Sequence, residues 1–420
     1  MKEQLNSLTE NKYNFYAARR AEFETGSNLS FRVSPKPLEL SKSETFDVNS
    51  LGEAIVEFVN ATHHLYKSNE EVRNLLNEGK PDELTEVKEP KYLFVRPDLI
   101  ATENGLKICE IETSPFGLAL SHLLNTGYSQ AGFETLASKN FLEDSIKSRT
   151  SKNGAIVHSN KTKAYKGQLD YLANKLFSGN DRSWTFEHID NHEANGIGLY
   201  RAFYLSEYLA DSKINNLISC QLDKENTNPS ITPHLEEKAI MALLWDKRFE
   251  NFYIRELGQA TFNRLRVSIP ETWIIGQEQY FSRGLPRDVQ TTLELVGGLR
   301  KNRELVIKPS GFDPQASWAE GVNLLHEKSS ETAKEIVLNA IQKTSTLTVV
   351  QKFHKGRKEI LQYENNQGGL TEMQVKLRIT PYYSTEDGKL LTIKATGCEN
   401  TDFIHASSSS INTAVSASQI

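Results

Sequence analysis

Residues 91–117, KYLFVRPDLIATENGLKICEIETSPFG, set four charged side chains inside two apolar runs. The runs, 92–101 and 106–113, have strand composition and flank Glu103, Asn104 and Gly105, so the stretch reads as a β-hairpin. Strand residues two apart share a face, which puts Arg96 with Asp98 and Glu110 with Glu112. An odd-length loop, with Gly105 in the left-handed region, sets Asp98 opposite Glu110 and Arg96 opposite Glu112. A strict two-residue Asn-Gly turn would pair Asp98 with Ile111 instead. The odd loop is the expectation. Three carboxylates on one half-buried face repel unless a proton or a cation lies between them. Arg96 balances part of that charge, and a hard divalent cation with oxygen ligands would balance the rest. A solvated face with cross-strand ion pairs fits the same placement, so charge alone leaves both readings open.

The rest of the chain sets that hairpin in context. At 420 residues, 38% hydrophobic and 25% charged, it is long enough for two or three packed subdomains. A net charge of −5 with no basic tract gives no reason to expect a nucleic-acid or membrane partner. The opening MKEQLNSLTENKY lacks the apolar core of a signal peptide, and no run reaches membrane-spanning length. Cys109, Cys220 and Cys398 have no metal-type spacing and suit free thiols in a reducing cytoplasm.

Four stretches are expected. Residues 1–90 are mainly helical: Ser50 and Glu53 have capping-box spacing, and Leu51, Ile55, Phe58, Val59 and Leu65 trace one face. A short helix over 70–77 follows, and His63-His64 are structural because adjacent helical residues do not share a face. Residues 91–150 hold the hairpin and a helix over 127–143. Residues 151–270 form a small α/β domain with strands 154–158, 184–189 and 216–221, and helices 164–177, 199–209 and 235–248. Residues 271–420 form an α+β module: strands at 304–308, 347–353, 358–362, 374–383 and 390–396, helices at 289–297 and 332–343, and a loose serine-rich tail from Ala406.

No P-loop, dinucleotide fingerprint, serine elbow or His-Glu-x-x-His motif is present. Gly196-Ile197-Gly198 is too short a match to carry anything. Lys308 ends the apolar strand LVIKPSG before a loop with Ser310, Gly311 and Gly321, where it suits a phosphate oxygen or an edge-strand guard. Gln351, Lys352 and Phe353 end TVVQKF, a strand end that suits an adenine edge or simply leaves the core. In VKLRITPYY, alternation puts Lys376 and Arg378 on one face, a pair better suited to an anion than to an apolar core.

The order Lys238 (EEKAIMALLWD), Ile269-Pro270-Glu271-Thr272, Lys308, Gln351, Arg378 resembles an ATP-grasp enzyme, in which two α+β lobes clasp ATP. The usual place for the metal carboxylates, after the arginine strand, offers only Glu399 and Asn400. Instead Arg96-x-Asp98, then Glu110-x-Glu112 and Ser114-Pro115, is similar to the circularly permuted type found in the synthetase domain of glutathionylspermidine synthase. Two departures stand out: Glu112 replaces an asparagine, and the loop 310–321, with Phe312, Pro314 and Trp318, is poor in glycine.

The resemblance implies a circularly permuted ATP-grasp fold with a small α/β domain before it, acting as an ADP-forming carboxylate-amine ligase. Asp98, Glu110 and Glu112 would bind Mg2+; Lys238, Lys308, Ser310, Gly311, Gly321, Gln351, Lys352 and Phe353 would bind ATP. Arg96 and Arg378 would hold reacting oxygens, and the partners would be a small-molecule acid and an amine. A nucleotide-binding protein that has lost catalysis, and a divalent-metal hydrolase using the hairpin carboxylates alone, are the alternatives.

Overall fold

The computed structural model describes residues 17–418 apart from 27–30, 138–140, 180, 194–196, 223, 277–288, 318, 344–345, 366, 400 and 405–406. The sequence features at Gly196, Trp318 and Asn400 therefore lie outside the described residues. Within them the fold is mixed α/β, with three sheets. The largest runs Arg32–Val33, Ile411–Ala417, Leu390–Glu399, Leu370–Ser384, Phe94–Thr102, Gly105–Glu112, with Lys358–Glu364 and Leu38–Leu40 joining at its sides. The charged hairpin is thus one end of this sheet, and its first strand pairs antiparallel with the arginine strand through Leu99–Ile379 and Val95–Tyr383. A four-stranded antiparallel sheet (Asn323–Leu324, Leu305–Pro309, Thr348–Lys352, Thr272–Ile275) is backed by the helices Val289–Gly297 and Ser330–Gln342. Val296, Ala333 and Val337 close its apolar face over Trp273, Ile307 and Val350. The third sheet is parallel, in the order Ser183–His188, Asn153–His158, Gly198–Ala202, Thr227–Asn228. No helix among the described residues is long and apolar enough to cross a membrane.

Several elements depart from expectation for identifiable reasons. The N-terminal helix, Lys42–Ser68, begins at a capping box of Ser41 and Glu44, not at Ser50 and Glu53, although the anticipated apolar face is the buried one. Residues 199–209 are not a helix: Gly198–Ala202 is a strand buried on both faces, and such a strand loses the alternation that marks it. The segment read as strand 216–221 lies in the helix Ser212–Gln221, whose cap, Asp211, accepts from the N–H groups of Lys213 and Ile214. In place of a helix over 127–143 the chain forms Leu118–Gln130 and Phe141–Arg149. In place of 235–248 it forms the short turn Ile240–Leu243 and then Glu250–Ser268, a helix interrupted at Gly258. The tail is not loose. Ile411–Ala417 inserts between Leu390–Glu399 and the N-terminal strands, its β-branched Ile411, Thr413 and Val415 masked in sequence by the surrounding serines.

His63 is structural. Its Nδ1 lies 3.0 Å from Nε2 of His234, and the His234 ring stacks on Tyr66 with centroids 3.8 Å apart. One ring donates and the other accepts, so the accepting nitrogen carries no proton. Burial pushes both below the usual imidazole range; Lys80 adds to this at His234, Lys67 and His64 add to it at His63, and Glu89 opposes it there. A depressed folded-state pKa leaves stability complete above the unfolded value of ~6.5 and removes it as pH falls below. Urea denaturation is expected to show a loss on the order of 1–2 kcal/mol between about pH 7.5 and about pH 5.5. His234→Asn should flatten that slope, and an undiminished slope would assign it to other groups.

Candidate active site

The hairpin reaches the expected pairing by a different device. Thr102 pairs with Gly105 across Glu103-Asn104, an even loop, and that register continues to Leu99–Ile108. Beyond it the register shifts, and Asp98 faces Glu110 while Arg96 faces Glu112. The extra residue is Cys109, a β-bulge, so the odd count lies in the strand and not in the loop. Gly105 does take the left-handed conformation, at φ 85°. The Cys109 thiol donates to the Asp98 carbonyl at 3.3 Å, and the Cys109 carbonyl accepts from Lys308 Nζ at 2.7 Å. A lysine from the smaller antiparallel sheet therefore satisfies a backbone group at the bulge of the larger one.

Around this bulge the carboxylates collect. Asp98, Glu110 and Glu112 each offer an oxygen, all within 4.8 Å of one another. Arg96 braces them: Nε donates to Asp98 at 2.8 Å, Nη1 to the Phe116 carbonyl at 2.8 Å, and Nη2 lies 2.8 Å from Glu112. Arg378 Nη1 lies 3.3 Å from Asp98, and Lys238 Nζ lies 2.7 Å from Glu110. Burial disfavours the Asp98 carboxylate, but Arg96 and Arg378 outweigh it and hold its pKa below the usual range. Glu112 goes the other way, pushed up to about 7 by burial and by Glu110 and Asp98 beside it, against the pull of Arg96. One member of the trio is thus poorly balanced by the protein alone. That is the electrostatic condition a divalent cation relieves, and the all-oxygen donor set fits Mg2+. A second group, His326, Glu327 and Asp402, is committed elsewhere, since the Lys376 ammonium already pairs with Asp402.

The trio lines a cavity of about 440 Å³ bounded by the large sheet and the smaller antiparallel one. Seven basic and five acidic side chains line it, an excess of positive charge in a chain whose net charge is −5. Of the residues singled out in the sequence, Arg96, Asp98, Glu110, Glu112, Lys238, Lys308, Gly311, Gln351, Lys352, Phe353 and Arg378 all line it. Ser310 and Gly321 do not. Ser310 turns its hydroxyl to Glu237 and accepts from the Ala239 N–H at 3.0 Å. Gly311, at φ 55°, is required because a Cβ would strike that same Glu237. Gln351 is not free for an adenine edge: its amide oxygen accepts from Lys308 Nζ at 2.9 Å and its NH2 donates to Thr272 at 3.0 Å. The N–H groups of Lys352 and Phe353 donate to the Glu271 and Glu304 carbonyls, and Lys352 Nζ pairs with Glu271 at 2.6 Å. Phe353 stands against His326, ring centroids 4.3 Å apart. Glu399 is exposed at a strand end, outside the cavity lining.

With all three guanidinium nitrogens engaged, Arg96 braces the carboxylates, whereas the buried Nε of Arg378 has no partner among the described residues. Sequence reading also missed Lys394 and Asn412, which line the cavity from the last two long strands. A lysine in the middle of the apolar run LLTIKATGC was the available signal.

Lys308 is 6% exposed, and burial lowers its pKa. Lys308→Met is expected to cost about 1–2 kcal/mol of stability, because it strands the Cys109 carbonyl and the Gln351 amide oxygen. If the cavity takes a nucleotide, the same substitution is expected to weaken ATP binding about tenfold, about 1.4 kcal/mol. Unchanged calorimetric ATP affinity would leave Lys308 a purely structural clamp between the sheets.

No protein-family model and no curated protein matches this sequence. Among solved structures, a glutathione synthetase-like effector from Globodera pallida aligns with 99% of this chain and 97% of its own, at 11% identity and a TM-score of 0.59. A candidate γ-glutamylcysteine synthetase from Methylobacillus flagellatus covers 87% and 86%, at 9% identity and a TM-score of 0.43, too low to carry an argument. The first likeness speaks for the fold alone: this chain's mixed α/β architecture is similar to that of the effector over nearly the full length of both.

Proposed function

We propose that this protein is an ATP- and Mg2+-dependent ligase that joins a carboxylate to an amine through an acyl phosphate and releases ADP and phosphate. The observation that carries it is the cavity: a carboxylate trio on one sheet faces lysines and an arginine from three other segments, with basic residues in excess. A polyphosphate chelating a hard cation answers both halves of that arrangement. The fold likeness to a glutathione synthetase-like protein supports the same class. In this reading Asp98, Glu110 and Glu112 hold Mg2+, which supplies charge neutralisation at the phosphates. Lys238 and Lys308 face phosphate oxygens, and Arg378 holds the acid substrate by a carboxylate. A carboxylate oxygen attacks the γ-phosphorus and the bond to the ADP oxygen breaks. An amine then attacks the acyl carbon, phosphate leaves with the bonding pair, and the amine proton passes to solvent. The metal strands precede the nucleotide-binding strands in sequence, as in a circular permutation.

ADP release that requires both an acid and an amine, together with Mg2+, tests the reading across a panel of pairs. No ATP affinity at all would favour the metal-hydrolase alternative. A second reading, nucleotide binding without turnover, draws on the committed hinge: Gln351 and the N–H groups of Lys352 and Phe353 are already bonded within the protein. ATP binding with no ADP released by any pair would select it.

A further inference from the structure

The face of the large sheet that carries the trio does not stop at the arginine strand. Arg378 pairs with Thr396, and Thr396 with Asn412, so one row crosses three strands. Lys394, two residues from Thr396, lies on the same face beside that row and pairs with Thr380. All of these but Thr396 line the cavity. Lys394 Nζ donates to Thr396 Oγ1 at 3.0 Å and to Asn412 Oδ1 at 3.3 Å, and Thr396 Oγ1 donates to Asn412 Oδ1 at 2.9 Å.

Two donors on this row remain open, and a third group, the Lys394 ammonium, has only neutral partners. Asn412 is 1% exposed, yet its Nδ2 has no partner among the described residues. The same holds for Nε of Arg378. Lys394 is 7% exposed and has no carboxylate within ion-pair distance among the described residues. An amide NH2 and a guanidinium N–H left unsatisfied, beside an ammonium with no counter-charge, are costly on one buried face unless an acceptor arrives. Neutral polar neighbours satisfy the lysine only in part, and the acceptor oxygen of Asn412 is already spent on Lys394 and Thr396. What the row still offers is donors.

We propose that Lys394, Asn412 and Arg378 form an anion subsite beside the metal trio that binds a carboxylate of the acid substrate other than the one phosphorylated. The acid is then one with two carboxylates, the first presented for phosphorylation at the trio and the second anchored on this row. The assignment rests on the ligase reading for its substrate, but the subsite itself is testable without nucleotide. Burial, with Arg378 and Arg96 close by, pushes the Lys394 ammonium down to about 7, a penalty that a bound anion removes.

The test is calorimetric titration of glutarate into the full chain, with inorganic phosphate titrated in parallel. Glutarate is expected to bind the unsubstituted protein. Lys394→Met, which removes the charge, and Asn412→Asp, which keeps size and Oδ1 but replaces the donor by an acceptor, should each weaken it at least tenfold. Absence of glutarate binding, or equal binding by both variants, overturns the subsite. Phosphate binding tighter than glutarate and equally sensitive to both substitutions would overturn the carboxylate assignment and give the row to a phosphate. ATP with Mg2+, titrated into the unsubstituted chain alone, reports on the ligase reading separately.

Discussion

Glu110→Gln is expected to weaken Mg2+-dependent ATP binding at least a hundredfold, while Glu399→Gln leaves it unchanged. Glutamine keeps the shape of the side chain and an oxygen for Lys238, so the hairpin should stand. What it removes is one of three negative charges whose oxygens lie within 4.8 Å of one another. A hard cation is held by charge as much as by geometry, so losing one carboxylate of three weakens it steeply. A hundredfold loss is about 2.8 kcal/mol. Glu399 faces solvent opposite Val375 and reaches none of these groups. The measurement is calorimetry of ATP with and without Mg2+ on both variants. If Glu399→Gln loses binding and Glu110→Gln does not, the metal site is at the other end of the sheet and the permuted arrangement is wrong.

Arg96→Met should be the most destabilising single change at the site, at about 3–5 kcal/mol in urea denaturation. Arg96 and Asp98 are 9% and 2% exposed, so the substitution leaves a buried carboxylate with Arg378 alone and the Phe116 carbonyl with Tyr382 alone. Replacing one partner of a buried charged network costs far more than the network contributes net, because the other charge stays behind. Arg96→Lys keeps the charge but cannot reach Asp98, Glu112 and Phe116 with three nitrogens at once, so an intermediate loss is expected. Mg2+ should recover part of the stability of Arg96→Met by taking over the neutralisation of Asp98 and Glu112. A melting temperature insensitive to both substitution and Mg2+ would sink the positioning role.

The charged hairpin was legible because period-two alternation and four misplaced charges are local signals. Its register was anticipated for an incorrect reason, since nothing in KICEIE announces that Cys109 is the extra residue. Lys308 and Arg378 were legible as charges in apolar strands. Their partners were not: the bond from Lys308 to the Cys109 carbonyl joins residues 199 apart. The internal partners of Gln351 and Ser310 were not legible either, because polar groups at strand ends suit both ligands and internal contacts, and only tertiary structure supplies the latter. Lys394 and Asn412 were missed together. The strand holding Asn412 was hidden in a serine-rich stretch, and without it Lys394 had no neighbour to suggest a subsite.

The insertion of Ile411–Ala417 beside Arg32–Val33 has a consequence for how the chain acquires its structure. The two strands pair in parallel, Arg32 with Ile411 and Val33 with Asn412, so this closure joins residues 379 apart in sequence. Contacts of such sequence separation bear the full loop-closure entropy before they return any stabilisation, and they slow folding accordingly. During synthesis the strands Arg32–Val33 and Leu38–Leu40 wait, with their sheet partner not yet made, until Ile411–Ala417 emerges. Native structure at the row holding Asn412 is therefore acquired late, and an incomplete chain presents an unpaired sheet edge at Leu390–Glu399 in the interval.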